Sequence, residues 1–386
     1  MSGSRIRVLT AITRLELGGA QRVALHTAGR LDPAAFEAAL AWGPGDVLDG
    51  EARALRDVVR CEIADLVRPV APVRDLKALV ALRRAIREFR PGIVHTHSSK
   101  AGVLGRLAAR LERVPVVVHT VHGFGFTPLQ SAVKRKLFFT AEKIAARWTD
   151  HFVAVSRRNL ERGVELGLWA EDEASVIRAG IDLRRIRQAA DGSRSRERLG
   201  IPSGVPVITQ IGNFKPQKAP LDFVRAAAEV AGKVPAARFV MVGDGPLRAA
   251  AGTVAGELGI ADRVCFPGWW DDVPDLLAAT TVSVLSSRHE GLPCSVVESL
   301  AAGVPVVATA VDGTPEVIEP GVNGELVKPG DWRALAEAVT GILVDDGRRR
   351  AMSQAAADGL DSFDRDVMVR QLEELYRCLT SGCSPS

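Results

Sequence analysis

The sequence predicts an α/β protein of two doubly wound, parallel-sheet domains facing a central cleft. Three observations carry that prediction. Short β-branched runs alternate with Ala- and Arg-rich stretches of helical spacing, the pattern of parallel strands whose connecting helices cover both faces of a sheet. The runs fall into two series, parted by a polar, Arg-rich segment at 182–204 with few apolar anchors. At 386 residues the chain also exceeds what one hydrophobic core ordinarily supports.

In chain order, the first series places strands at 7–12, 92–95, 114–119, 152–155 and 175–177. The second places them at 206–211, 237–242, 264–266, 281–285 and 304–308. Helical spacing marks 75–89, 100–111, 132–148 and 221–233. The junction is expected near Gly180. In folds of this kind ligands bind at the carboxyl ends of the strands, so the strand-to-helix loops are where chemistry is expected.

Composition narrows the class. The chain is 47% hydrophobic and 25% charged, which excludes a disordered protein. A formal net charge of +4 permits phosphate binding without announcing a nucleic-acid protein. Five scattered cysteines, odd in number and without metal-ligand spacing, fit a reducing compartment and not a disulfide framework. No apolar run reaches the length of a membrane span, and the first residues lack a signal peptide's apolar core. The expected address is cytoplasmic, with peripheral contact at the inner membrane face left open.

The segment SSRHEGLPCSVVESLAAGVPVVAT, at 286–309, holds most of the functional information. An apolar strand leads in, a helix begins around Ser295, and another strand follows. Glu290 then falls on a strand-to-helix loop and Glu298 in the first helical turn. Such helix starts present free N–H groups and partial positive charge, which suit a phosphate. Two carboxylates beside it could bind the hydroxyls of a nucleotide sugar. The competing reading is a capping box, Ser295-x-x-Glu298, with Glu290 a solvated loop acid. Spacing alone does not decide between them.

Three other loops share the strand-to-helix placement. Gly18 and Gly19 allow close backbone approach to a ligand, or simply make a tight turn. His122, in the run HTVHGFGF, could hydrogen-bond a substrate, although a lone histidine is more often structural. The pairs His95-x-His97 and His119-x-x-His122 lack a neighbouring cysteine or carboxylate at ligand spacing, which argues against a metal. Lys215 and Lys218, in KPQK, would aim at phosphates, or belong to a solvated turn.

The ordered set of motifs resembles the retaining glycosyltransferases of the GT-B fold, family 4. It runs through GGAQ at 18–21, HTHSSKAG at 95–102, HTVHGFGF at 119–126, AVS at 154–156 and GID at 180–182. It continues through KPQK at 215–218, GDGP at 243–246, EGLPCSVVESLAAGVPVVA at 290–308 and NG at 323–324. The resemblance implies two Rossmann-like domains: 1–180, recognising the acceptor, and 181–364, binding the nucleotide sugar. A C-terminal helix near 365–380 would be placed to pack back on the first.

The resemblance also implies roles. Glu298 would bind the donor ribose and Glu290 the hydroxyls of the transferred sugar. The backbone of Gly291, Leu292, Pro293, Cys294, Ser295 and Val296 would help hold sugar and phosphate, with Gly243 also in the donor site. Lys218 would neutralise the departing diphosphate, the Gly18-Gly19 loop would close over it, and His122 would lie near the sugar. The catalytic set is thus expected to be His122, Lys218 and Glu290. One departure stands out: the family often has arginine just after Gly212, where this chain has Asn213; Asn213 and Lys215 are still expected in the donor site, with Lys215 or another basic group supplying the charge, or else with weaker diphosphate binding.

The implied activity is a metal-independent, hexosyltransferase-type transfer from a UDP- or GDP-linked sugar, with no cofactor and no nucleic-acid partner. The expected acceptor is a glycan or lipid-linked molecule of cell-surface polysaccharide or glycoconjugate synthesis. A soluble secondary metabolite is the alternative, as is a non-catalytic glycosyltransferase-like binding protein. The stretch 132–148 sets Lys134, Arg135 and Lys136 beside Leu137, Phe138 and Phe139. That pattern suits a membrane-surface helix, but a buried helix with a cationic outer face is the preferred reading.

Overall fold

The computed structural model describes residues 5–127, 130–188 and 191–383. They form two compact units, one of Met1–Gly180 with Phe363–Ser386 and one of Ile181–Ser362.

The first unit holds β1 (Ile6–Arg14), β2 (Phe36–Gly43), β3 (Val58–Glu62), β4 (Ile93–His97), β5 (Val116–Val121), β6 (His151–Ala154) and β7 (Ala174–Val176). They make one sheet in the order β3-β2-β1-β4-β5-β6-β7, with every neighbouring pair parallel. The second unit holds β8 (Val207–Ile211), β9 (Arg238–Val242), β10 (Val264–Gly268), β11 (Val282–Leu285), β12 (Val306–Thr309) and β13 (Gly324–Val327). Its sheet, also parallel, runs β10-β9-β8-β11-β12-β13. Both units are doubly wound and Rossmann-like, as the alternation of strands and helices predicts.

Each sheet reverses its winding once, at β1/β4 in the first unit and at β8/β11 in the second. Loops leaving the two strands at such a point diverge and open a crevice at their carboxyl ends. The strands there are buried on both faces: Val8, Leu9, Ala11 and Ile12 of β1 are inaccessible, as is Val282 of β11. In the second unit Phe214, Phe223, Phe239, Leu335 and Ile342 pack into one apolar cluster over β8 and β9. That cluster anchors the helix Pro220–Lys233, whose first turn follows Lys218.

Three strands escape the sequence reading. Residues Ala38, Ala39 and Ala41 of β2 are good helix formers, and only full burial in the sheet overrides that preference. β3 is a mostly exposed edge strand, and β13 is four residues long, so neither shows a periodic signal.

The helix Ala132–Ala146 overturns the preferred reading of a buried segment. Only Ala145 is buried, while Val133 is 82% and Leu137 59% exposed. No helix among the described residues is long and apolar enough to cross a membrane. At the far end of the chain, the helix Arg365–Ser381 packs in the first unit. There Tyr376 Oη lies 2.5 Å from His95 Nδ1, Glu373 Oε1 accepts the Asp32 N–H at 2.7 Å, and Arg30 pairs with Asp366 at 2.6 Å.

Candidate functional site

In the second unit the two loops at the winding reversal are stitched together. After β8 the chain makes a 3-10 turn, Pro216–Lys218, then enters the next helix through Ala219, a non-glycine residue in the left-handed region (φ +43°). Such a residue stores strain and is held by its surroundings. Here Ser286, just after β11, sets its Oγ 2.9 Å from the Lys218 carbonyl and 3.0 Å from that of Ala219. The Arg288 N–H donates to the Gln217 carbonyl at 2.7 Å, and Gln217 Nε2 returns a bond to the His289 carbonyl at 3.0 Å.

This frame brings Lys218 and Glu290 together. Lys218 Nζ donates to Glu290 Oε1 at 2.5 Å, with the two side chains 17% and 7% exposed. Ser287 Oγ donates to the same oxygen at 2.5 Å. Both bonds fall on Oε1, so Oε2 carries no hydrogen bond among the described residues. The Glu290 N–H is held by Asp312 Oδ2 at 2.6 Å, and the Gly313 N–H by the Gly291 carbonyl at 3.1 Å. Asp312 adopts a left-handed conformation (φ +43°) in this loop. Sequence reading missed both Asp312 and Ser287, because neither residue type is distinctive on a loop.

The helix after the loop is Cys294–Ala301, with Pro293 as its N-cap and no side-chain cap. The capping-box reading therefore fails. Glu298 also lies beyond the first turn, as the fifth helical residue. That places it one turn above Cys294 on the same face. Val296, Val297, Leu300 and Ala301 form the buried face, and Ser299 Oγ donates to Ser283 Oγ of β11 at 2.8 Å.

Burial pushes the Cys294 thiol up to about 12, aided by the negative charges of Glu298 and Glu290 and opposed by Lys218. One short helix start thus gathers Cys294, Lys218, Glu290 and Glu298. The amides of Cys294 and Ser295 have no partner within the helix, being in its first turn. Two residues of the expected amide set cannot serve in that way. Pro293 has no N–H, and the Val296 N–H already donates to the Pro293 carbonyl at 2.9 Å.

Gly243 has a packing reason of its own. Its φ is +127°, and a Cβ there would stand 2.1 Å from the Gly212 carbonyl oxygen. The turn it makes lets the Phe214 N–H donate to the Asp244 carbonyl at 3.0 Å, fixing the loop that carries Asn213 and Lys215. Of the other basic groups here, Arg288 is engaged by Asp222.

In the first unit, His122 is not a lone histidine. Its Nε2 lies 2.9 Å from His97 Nδ1, across neighbouring strands β4 and β5. His95, His97 and His119 are buried around it. Burial lowers all four from the usual imidazole value, His122 to about 4 and His95 to about 3, so they stay neutral near pH 7. Gly19 opens the helix Gly19–Arg30 after β1, with Gly18 at its N-cap. Thr13 Oγ1, near the end of β1, lies 2.7 Å from Ser98 Oγ, just after β4, and ties the strand to that loop.

Two family models match the chain, "Glycosyltransferase Family 4" over residues 17–185 and "Glycosyl transferases group 1" over residues 191–358. The UDP-Gal:alpha-D-GlcNAc-diphosphoundecaprenol alpha-1,3-galactosyltransferase of Escherichia coli is 30% identical over 382 residues, 97% of each chain. The N-acetyl-alpha-D-glucosaminyl L-malate synthase of Bacillus anthracis is 29% identical over 311 residues, 79% of each. Among solved structures, Anabaena Alr3699/HepE in complex with UDP-glucose superposes with a TM-score of 0.83 at 21% identity, covering 97% of this chain and 100% of its own. WaaG, a glycosyltransferase involved in lipopolysaccharide biosynthesis, superposes with a TM-score of 0.78 at 16% identity, covering 96% and 99%.

Proposed function

The chain belongs to the group 1, family 4 glycosyltransferases, and on that premise we propose that it transfers a sugar from a UDP-linked donor to a lipid-linked diphosphate acceptor, with retention of configuration. The carrying observation is the convergence of Lys218, Glu290, Cys294 and Glu298 at the winding reversal of the second unit's sheet.

That arrangement suits a departing nucleoside diphosphate. Negative charge grows on the leaving phosphate as the glycosidic bond breaks, and fixed positive groups stabilise it most. Lys218 supplies a full charge, and the amides of Cys294 and Ser295 add the helix N-terminus. Glu290, with Oε2 open, accepts hydroxyls of the transferred sugar, while Glu298 takes the ribose. Lys218 then exchanges its ion pair with Glu290 for the diphosphate. This chemistry needs no metal ion for charge neutralisation. Retention rests on family membership, and Glu290 acts as a binding group in this reading.

The acceptor class rests on two supports. The E. coli relative, 30% identical along its length, is named for a diphosphoundecaprenol substrate. The exposed helix Ala132–Ala146 carries Val133, Leu137 and Ile144 on one side, with Lys134, Arg135, Lys136 and Lys143 nearby. Such a surface suits an anionic bilayer in which a lipid-linked acceptor resides.

The test is a transfer assay with UDP-galactose, UDP-glucose and their N-acetylated forms against a polyprenyl-diphosphate sugar, with and without EDTA. Sugar-specific release of UDP, insensitive to EDTA and dependent on the lipid acceptor, supports the proposal. Transfer only to soluble acceptors, or loss of activity in EDTA, refutes the corresponding part.

A further inference from the structure

The contact between His97 and His122 carries more than proximity. The ring centroids are 5.2 Å apart and the ring planes 29° from parallel. With 2.9 Å between Nδ1 and Nε2, this is the geometry of two rings joined nearly end to end, as in a well-aligned hydrogen bond. One of the two nitrogens must donate and the other accept.

The remaining nitrogens decide which. His97 is fully buried, and its Nε2 has no hydrogen-bond partner among the described residues. A buried N–H left unpaired is rarer and costlier than a lone pair left unpaired. A proton on His97 Nε2 is therefore disfavoured, and the proton belongs on Nδ1, where it has a partner. His122 Nε2 must then accept. His122 itself is half-buried, and its Nδ1 has no hydrogen bond among the described residues.

We infer that His97 is a positioning residue. By donating its Nδ1–H to His122 Nε2, it holds His122 in the tautomer whose proton sits on Nδ1. His122 then offers substrate a neutral N–H donor, aimed at a sugar or acceptor oxygen, and does not serve as a general base through Nε2. The burial that keeps both rings neutral agrees with this arrangement. The catalytic part of the inference rests on the glycosyl-transfer reading above, whereas the tautomer does not.

The experiment is a long-range 1H–15N spectrum of the uniformly labelled full chain at pH 7.5, with His122 assigned by its loss in His122→Gln. The expected pattern is a protonated Nδ1 and an unprotonated Nε2. A protonated Nε2 in the wild-type chain overturns the inference, whatever the enzyme's activity. In His97→Leu, which removes the donor, the His122 signals should shift towards the other tautomer. With the assay substrates, kcat should fall roughly tenfold or more with little change in KM for the UDP-sugar. His97→Asn, whose amide can donate from the place of Nδ1, should restore the tautomer and recover kcat relative to His97→Leu. Unchanged tautomer or kcat in a folded His97→Leu overturns the positioning role. If no UDP-sugar is turned over while the expected tautomer is seen, the glycosyl-transfer reading fails and the tautomer stands.

Discussion

Lys218 Nζ rests 2.5 Å from Glu290 Oε1, so the cation proposed to meet the leaving diphosphate is already paired with the carboxylate proposed to meet the sugar. The pair makes Glu290 a competitor for Lys218 when nucleotide alone is bound. Glu290→Ala should therefore bind free UDP at least as tightly as the wild-type chain, yet lose transfer. Calorimetry with UDP beside a transfer assay checks this; weaker UDP binding in Glu290→Ala would count against the exchange.

Lys218→Ala should reduce kcat by about 10²- to 10³-fold, the loss typical of removing one fixed group that faces developing negative charge. Acceptor KM should change little. Steady-state kinetics in both substrates measures the split.

Glu298→Ala should weaken UDP about 10- to 100-fold, since hydrogen bonds to a charged group contribute about 1.5–3 kcal/mol. The same variant should bind inorganic diphosphate as well as the wild type does. Competition calorimetry separates the ribose contact from the phosphate contact.

Acid should destabilise the fold well above the carboxylate range. His26, His122 and His151 are lowered to about 4 and His95 to about 3, in each case chiefly by burial. Their folded values lie below the unfolded value near 6.5, so the unfolded chain takes up protons first as pH falls. Stability is full above about pH 6.5 and declines below it until the folded values are reached, at about 1.4 kcal/mol per pH unit for each such group. Urea midpoints at pH 7.5, 6.5 and 5.5 should fall in that order, and His95→Gln should flatten the trend.

Gly243→Ala should destabilise the second unit, because the new Cβ would meet the Gly212 carbonyl at 2.1 Å from a backbone held at φ +127°. A loss of about 1–3 kcal/mol is expected, with weaker UDP binding through the displaced loop. Thermal melts with and without UDP show both effects.

Much of this was legible in the sequence, for reasons that can be named. β4, β5, β8, β9, β11 and β12 are short β-branched runs buried on both faces, and such runs announce themselves. Glu290 and Glu298 stand out because a strand, a loop and a helix follow one another in fixed order around them. β2 is hidden because alanines read as helix until a sheet buries them. The His97–His122 contact is hidden because the two are 25 residues apart, meeting only once β4 and β5 pair in register. The exposure of Val133 and Leu137 is hidden because an amphipathic helix does not say whether its apolar side meets protein.

The C-terminal helix has a consequence for biosynthesis. Tyr376 lies against His95, so residues from the two ends of the chain complete one core while Ile181–Ser362 forms a separate unit between them in sequence. A ribosome releases the inserted unit before it releases the helix that finishes the first. The nascent chain must therefore hold Met1–Gly180 without its final helix until the whole inserted unit has been made. A stop codon ahead of Tyr376 would spare the inserted unit and leave the other with an unfilled hollow, the kind of half-finished surface that chaperones and proteases recognise.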